Sequence, residues 1–257
     1  MKLDYNELLE MVSEMGFRLM FSGAEIYRVE ESISRLLQAY GAERGEVFAI
    51  PNCIIVSLTS PMGEPMTQIR RMPNHGTDIY LLERYNDLGR RLCRETPPFE
   101  VALDSMREIE RTHKVYSLPT QLAAHFLGCG MFSLFYGGSV WDGLCGGLCG
   151  MVICLCLALT SKLGANLFFK TIAGAAASAF VALALTAVGV GQNSDSIIIG
   201  ALMALVPGIA FTNAMRDIMA GDMVAGISKA AEALLIGAAI ALGTALALGL
   251  IRPLMGG

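Results

Sequence analysis

The spacing of hydrophobic residues changes character about 115 residues into the chain. Before that point, apolar residues recur every three or four positions, which is the spacing of a helix with one buried face. Four segments have this spacing: residues 6–20, 24–40, 78–93 and 99–112. Between the second and third, residues 47–59 are rich in β-branched side chains and residues 65–72 alternate between apolar and polar, as strands do. The pattern predicts an α+β domain of order α-α-β-β-α-α, in which residues 47–59 form one strand or two divided at Pro51.

From residue 118 onward the sequence is almost continuously apolar. A helix needs roughly 20 apolar residues to cross a bilayer. Five segments approach that length: residues 118–136, 140–159, 167–190, 197–214 and 227–251. We therefore predict an α-helical membrane protein in which residues 1–117 form the α+β domain and residues 118–257 form a domain of five transmembrane helices.

Composition agrees with this division. The 257 residues are 54% hydrophobic and 16% charged, which is too apolar for a typical soluble protein. Residues 1–117 hold 14 of the 19 Lys and Arg residues and 18 of the 23 Asp and Glu residues. The net charge is −4, and no basic tract indicates binding to nucleic acid. We expect a lipid bilayer, and no nucleic acid, among the partners.

Lys and Arg residues orient the predicted spans, because cytoplasmic connections carry an excess of positive charge. Lys162 and Lys170 lie at the second connection and Arg216 and Lys229 at the fourth, whereas the first and third connections carry none. With five spans, this distribution predicts a cytoplasmic N-terminus and an external C-terminus. Arg252, near the external end, is the exception.

The fourth apolar segment is interrupted within GALMALVPGIAFTNAMRDIMAGD, residues 200–222. Proline removes a backbone donor and clashes with the preceding turn, so Pro207-Gly208 is predicted to break the helix. Broken helices at membrane depth often build the substrate sites of transporters. The candidate substrate-binding or gating residues are Pro207, Gly208, Thr212, Asn213, Arg216 and Asp217. The alternative is a proline kink in a packed helix, followed by a solvated cytoplasmic loop.

Ionisable side chains in membrane helices are costly, which makes them candidates for function. Asp217, Glu232 and His125 are the candidates for proton coupling. Glu232 is about one turn into the fifth span, where its spacing suits a pair with Lys229 or with Arg216. Arg216 and Asp217 form either a functional pair or an ordinary cytoplasmic ion pair. For His125 a packing role is favoured over a proton relay.

Two further patterns in the membrane part concern packing and position. Asp142 and Asp195 occur at the outer ends of their spans, where we expect them to be solvated. Small residues let helices approach closely in lipid. Overlapping GxxxG spacings in the second span are formed by Gly143, Gly146, Gly147 and Gly150.

The N-terminal domain lacks the usual signatures of catalysis. Glu25, Arg28 and Glu31 are spaced for ion pairs along one helix, and we expect them to form a solvated face. No GxxxxGK[ST], HExxH or GxSxG motif occurs. The seven cysteines have no His or carboxylate at ligand spacing. We therefore expect no enzyme activity, no metal and no cofactor.

Two stretches resemble the threonine/serine exporter family: GAEIYRVEESISR, residues 23–35, and VPGIAFTNAMRDIMAGDMVAG, residues 206–226. A cytoplasmic domain followed by five spans also resembles that family. Full-length members carry ten spans, and this chain resembles the split form, in which a small five-span protein of the bacterial cytoplasmic membrane supplies the other half. The resemblance implies that the two halves are inverted, with the site at their interface. The split pair is associated with succinate export, so threonine, serine and small dicarboxylates stay open as substrates.

The sequence thus predicts one subunit of a secondary exporter of small polar metabolites, driven by an ion gradient, with protons as the expected ion. Assembly into a higher oligomer stays open. Two alternatives belong to other functional classes. One is a membrane-tethered enzyme with a hydrolase-like cytoplasmic domain. The other is a ligand-sensing or assembly subunit of a transport complex.

Overall fold

The structure, a computed structural model, describes residues 4–42, 44–60, 63–72 and 76–251. In chain order its elements are α1 (Tyr5–Phe21), α2 (Ile26–Ala39), β1 (Gly45–Ile50), β2 (Cys53–Thr59), β3 (Pro65–Arg71), α3 (Ile79–Glu95), α4 (Phe99–Thr112), α5 (Leu118–Phe135), α6 (Val140–Lys162), α7 (Leu167–Ala187), α8 (Ser194–Leu202), α9 (Gly208–Ala220) and α10 (Met223–Ile251). They form two compact units. The first unit comprises residues 1–114 and 209–230, and the second comprises residues 115–208 and 231–257.

Local signals set the helix ends in the first unit. The Asp78 side chain accepts a hydrogen bond from the Leu81 backbone N–H at 3.0 Å and so caps α3. After α1, Gly23 turns the chain with a φ of +93°, and a Cβ at this position would lie 2.7 Å from the Gly76 carbonyl oxygen. Conformation and space therefore both require glycine there. Helices occupy all four segments of this unit for which the spacing predicts them.

The sheet has three antiparallel strands in the order β1-β2-β3. Ile50 pairs with Cys53, so Pro51 and Asn52 form a two-residue turn between β1 and β2. Proline and asparagine both suit turns, because proline presets its φ and asparagine bonds locally to the backbone. Residues 47–59 are thus divided at Pro51, and the predicted order α-α-β-β-α-α is wrong by one strand.

The core of the first unit lies between the sheet and the helices. Ile54, Val56 and Leu58 alternate along β2 with partly exposed residues and are at most 1% exposed. They belong to one cluster with apolar residues of α1, α2, α3 and α4, and full burial of such a side chain stabilises the fold by about 1.5–3 kcal/mol. Ala225, in the first turn of α10, is fully buried in the same cluster. The segment around the α9–α10 connection is therefore part of this core.

In the second unit, α5 and α6 approach closely through glycines. A Cβ added at any of the four glycines of the GxxxG spacings would collide with α5, at side chains of Leu134, Ser133, Phe126 and Cys129. At Gly150 the obstacle includes the carbonyl oxygen of His125, 2.7 Å away. The two backbones are therefore too close for a larger residue.

The fourth apolar segment consists of two helices. α8 ends at Leu202, residues 203–207 are not helical, and α9 begins at Gly208. This is the interruption that Pro207-Gly208 predicts. α9 is 13 residues long, and its polar side chains follow the interruption directly.

Three helices in the described part of the chain are long and apolar enough to cross a bilayer: Val140–Lys162, Leu167–Ala187 and Met223–Leu250. α8 and α9, with 9 and 13 residues, are each too short, and α5 carries Gln121 and His125 within its 18 residues. The structure is therefore that of a predominantly helical protein with apolar helices suited to a membrane. Five spans stay a prediction, and Arg252 lies outside the described residues.

Asp142 is only 1% exposed, so the expectation that it is solvated is wrong. One carboxylate oxygen accepts hydrogen bonds from the backbone N–H and the hydroxyl of Ser139, each at 2.8 Å, and caps α6. The other oxygen accepts from the backbone N–H groups of Gln192 at 2.6 Å and Asn193 at 3.0 Å. Asp142 thus ties the start of α6 to the connection between α7 and α8. Asp195 is exposed, as expected.

Candidate functional site

Asp217, on α9, is fully buried in the first unit. Its Oδ1 accepts a hydrogen bond from the backbone N–H of Ile26, the first residue of α2, at 3.0 Å. The N-cap residue of α2, Glu25, makes no capping hydrogen bond through its side chain. A carboxylate that lies 191 positions later in the chain therefore satisfies this helix end. Its negative charge also lies at the positive end of the α2 dipole, where it is favourable.

Lys229, on α10, neutralises this carboxylate. Its Nζ lies 2.8 Å from Asp217 Oδ2 and 3.5 Å from the carbonyl oxygen of Ala24. The lysine side chain is 12% exposed, so the pair is largely withdrawn from water. In a buried pair of this kind each charge is stabilised by the other, because removal of one partner leaves an uncompensated charge away from water.

Arg216 pairs with a different carboxylate. It donates to Glu25 Oε1 at 2.8 Å, and Arg28 Nε lies 3.8 Å from Glu25 Oε2. The Glu25 side chain is 7% exposed, so the expectation of a solvated face is wrong for this residue. Although they are neighbours in sequence, Arg216 and Asp217 are paired with separate partners, Glu25 and Lys229.

Asn213 completes the contact between α9 and the start of α2. Its Nδ2 donates to the Gly23 carbonyl oxygen at 3.2 Å. Asn213, Arg216 and Asp217 are three and four residues apart, which places them on one side of α9. All three reach residues 23–26, which we call the α1–α2 corner. We call the whole set the Asp217 cluster: Asp217, Lys229, Glu25, Arg216 and Asn213.

The charges around Glu25 keep it ionised. Burial alone would raise the pKa of its carboxyl, but hydrogen bonds from its own backbone and from Arg216 act against burial, as do the charges of Arg28 and Arg216. Together they hold the pKa of Glu25 below its ordinary value. The Glu25–Arg216 contact is therefore an ion pair at neutral pH.

Glu30 has the opposite character. Burial raises the pKa of its carboxyl, and the negative charges of Asp222 and Asp217 raise it further, against a hydrogen bond from the Ala49 N–H at 2.7 Å. Asp222 Oδ1 accepts from the Ala225 N–H at 3.3 Å, whereas its Oδ2 is buried without a hydrogen-bond partner among the described residues. Glu30 therefore takes up a proton more readily than an ordinary glutamate.

The other candidates lie elsewhere. Thr212 lies on α9, one residue before Asn213, and its side chain is exposed. Nδ1 of His125 is 2.8 Å from the carbonyl oxygen of Gln121, one turn earlier in α5. The candidates that belong to the second unit are Pro207, Gly208, His125 and Glu232.

Sequence reasoning missed the pairing of the two motifs. The spacing predicts the intrahelical pair of Glu25 with Arg28 and offers Glu232 as a partner for Lys229. It does not predict that Glu25 pairs with Arg216 and Lys229 with Asp217. The sequence does show that the two stretches that resemble the family, residues 23–35 and 206–226, each contain charges of opposite sign among apolar residues. That signal does not say which charges meet.

The sequence profile of the family described as "Putative threonine/serine exporter" matches residues 10–251. A protein named "Probable threonine/serine exporter" from Mycobacterium tuberculosis (strain ATCC 25618 / H37Rv) is 26% identical over 250 residues, which cover 96% of this chain and 46% of the relative. The chain thus spans about half the length of the curated relative that it matches. No solved structure matches it. The family profile takes in nearly the whole described chain, including every residue of the Asp217 cluster, and the chain belongs to the threonine/serine exporter family.

Proposed function

We propose that this chain is one subunit of a secondary exporter of small polar metabolites that carry a carboxylate group. This class includes threonine- and serine-type amino acids and small dicarboxylates such as succinate. A small five-span protein supplies the other half of the transporter. Family membership supports a membrane exporter, and the observation that carries the mechanism is the buried Asp217–Lys229 pair at the start of α2.

The subunit belongs in the bacterial cytoplasmic membrane with five spans, a cytoplasmic N-terminus and an external C-terminus. The placement of Lys162, Lys170, Arg216 and Lys229 supports this orientation. The α8–α9 interruption also supports a transporter, because non-helical backbone at membrane depth suits a substrate pathway.

The Asp217 cluster is the gate in this mechanism. A proton on Asp217 removes the charge that holds Lys229 and that faces the positive end of α2. The contact between α9 and the α1–α2 corner then weakens, and α9 is released. Proton binding is thereby coupled to movement of the helix that follows the Pro207-Gly208 interruption. Glu232 and His125 are the candidates for passing the proton.

Arg216 and its neighbours bind the substrate carboxylate. Arg216 uses NH1 for Glu25, and its side chain is 54% exposed, so further guanidinium N–H groups remain for a carboxylate. Asn213 and Thr212, on the same helix, supply directed hydrogen bonds. This chemistry selects the carboxylate that the amino acids and dicarboxylates share.

Asp217→Asn tests the gate. Asparagine keeps the shape and the oxygen that accepts from Ile26, but it carries no charge for Lys229 or for a proton. Export of labelled threonine, serine and succinate from vesicles that contain this chain and its partner should fall at least about tenfold, and the response to an imposed pH gradient should disappear. Because the amide leaves Lys229 without its charged partner, expression and thermal unfolding of the variant are measured alongside, and export is compared per amount of folded protein.

Asp195→Asn is the matched control, because it makes the same chemical change at an exposed carboxylate of the second unit. This variant should export at the original rate. Normal export by Asp217→Asn would refute the gate. Full export by the partner alone would refute the subunit's part in the pathway and favour a sensing or assembly role.

A further inference from the structure

A groove of about 610 Å³ lies between α2 and α3 in the first unit. Its floor is apolar and is formed by side chains that are at most 2% exposed: Met15, Leu19, Leu36 and Tyr85. Tyr27, Ser32 and Asn86 add polar edges to its walls. A volume of this size, with an apolar floor and a few polar groups, is that of a small-molecule site.

The charge of the groove is strongly positive. Its charged lining residues are Arg28 and Arg35 from α2, Arg90 and Arg94 from α3, and one carboxylate, Glu31. Glu31 is already paired with Arg35. No ion pair or hydrogen bond of the Arg94 side chain occurs among the described residues. Guanidinium groups on both walls suit phosphate, which arginine binds through parallel N–H···O bonds.

Gly89 gives independent support for a ligand. It lies inside α3 and lines the groove, and a Cβ added there would have no atom within 4 Å. Neither packing nor a positive φ therefore requires glycine, which destabilises a helix interior by about 0.5–1 kcal/mol relative to alanine. The space above Gly89 is part of the groove that a ligand would occupy.

A wider groove of about 860 Å³ between α3 and α4 differs in charge. Arginines line it as well, but three carboxylates accompany them: Asp87, Asp104 and Glu108. Asp87 pairs with Arg90 on this side of α3. Arg90 and Arg94 line both grooves, but the excess of arginines over carboxylates is larger in the α2–α3 groove.

We propose that the α2–α3 groove binds a phosphorylated metabolite with a flat apolar body, of the size of a nucleotide. The arginines of the two walls hold the phosphate groups, and the apolar body covers the floor beside Tyr85. This inference goes beyond export, because the ligand differs in chemistry from the exported carboxylates. The groove shares no residue with the Asp217 cluster. Arg28 joins the two, since its Nε lies 3.8 Å from Glu25, so bound phosphate would compete for the same guanidinium.

Titration calorimetry on the purified full-length protein in detergent tests the site, with ATP, AMP, inorganic pyrophosphate and succinate as probes. ATP and AMP should bind saturably with one site per chain. Pyrophosphate, which lacks the apolar body, should bind about tenfold more weakly. Succinate, which the proposed export site binds at Arg216, should not displace bound AMP. Absence of ATP and AMP binding would overturn the proposal. Equal binding of ATP, AMP and pyrophosphate, together with displacement of AMP by succinate, would also overturn it, because it would indicate attraction of any anion.

Two variants of the groove and one outside it localise the binding. Gly89→Leu fills the space above α3 and should abolish it, and Arg35→Gln should weaken it about tenfold. Arg91→Gln removes the same charge from the other side of α3, in the wider groove, and should leave binding unchanged. Binding that is sensitive to Arg91→Gln and insensitive to the two groove variants would contradict the assignment. Gly89→Leu should fold, because a Cβ added at Gly89 has no atom within 4 Å. Thermal unfolding checks that both groove variants are folded.

Discussion

Asp217 and Arg216 illustrate how far the roles of adjacent residues can differ. Asp217 is fully buried and caps a helix from a distant part of the chain, whereas the Arg216 side chain is 54% exposed. The buried carboxylate depends on Lys229 and on the α2 dipole for its charge. Among the described residues, the exposed guanidinium donates a hydrogen bond only through NH1, to Glu25. In the proposed mechanism, the buried residue gates and the exposed residue binds the substrate carboxylate.

The titration of Glu25 predicts a pH-dependent loss of stability. Because the folded-state pKa lies below the ordinary value of 4.5, the unfolded chain binds a proton at higher pH than the folded one. The stabilisation is fully present above about pH 4.5 and is lost as the pH falls through the folded-state pKa. Glu25→Gln should therefore reduce the free energy of unfolding by about 1 kcal/mol at pH 7, since half-exposed Arg216 weakens the pair.

Chemical denaturation of the purified protein and the variant over a pH series measures this difference. It should shrink below pH 4.5 and disappear once Glu25 is protonated in both states. Glu31→Gln is the control, because its pair with Arg35 is exposed on both sides and should contribute little. A difference that grows on acidification would show that the Glu25 pair does not stabilise the fold.

At the scale of elements, two features determine the packing of the helices: the interruption between α8 and α9, and the close approach of α5 and α6 at glycines. The interruption between α8 and α9 follows from proline chemistry and leaves the polar residues of α9 in the first unit. The close approach of α5 and α6 follows from glycines on one face of α6. Both are local sequence features with consequences for packing.

The α5–α6 contact gives a stability prediction. A Cβ at Gly150 would lie 2.7 Å from the His125 carbonyl oxygen and 2.6 Å from Cys129 Sγ, so Gly150→Ala must push the helices apart and should destabilise the protein by about 1–3 kcal/mol. Gly128→Ala, on α5 itself, meets no atom within 4 Å and should leave stability unchanged or raise it by up to about 1 kcal/mol. Melting temperatures in detergent compare the two variants. Equal melting temperatures would mean that the helices are not closely packed at Gly150.

At the scale of the whole molecule, the chain alternates between its two units. It enters the second unit at residue 115, returns to the first at residue 209 and leaves it again after residue 230. α10 consequently contributes its first turns to the core of the first unit and its remainder to the second. In the proposed mechanism, a proton-dependent change at Asp217 therefore acts on a segment that continues through α10 into apolar helix long enough to cross a bilayer.

The predicted orientation is tested by labelling both ends. With five spans, an N-terminal tag should be protected from protease added outside spheroplasts, and a C-terminal tag should be digested, because the positively charged connections stay in the cytoplasm. Permeabilised cells, in which both tags should be digested, are the control. Two tags with the same accessibility would require an even number of spans and would contradict the assignment.

Local patterns determined the elements of this protein. Helix periodicity, the Asp78 cap, the turn at Pro51 and the interruption at Pro207 all depend on residues a few positions apart, and such interactions can be read along the chain. The resemblance of residues 23–35 and 206–226 likewise indicated the family from the sequence alone, and the family profile confirms it.

Only the tertiary structure decided which charges meet. Spacing within a helix shows which residues share a face, but not what packs against that face, so Glu25 and Asp142 were expected in water and are buried. The bond between Asp217 and Ile26 joins residues 191 positions apart, and no local pattern contains it. Removal from water strengthens the attraction between two buried partners and makes a buried charge costly when its partner is missing. Since only the packed fold removes these groups from water, the sequence alone does not show these contacts.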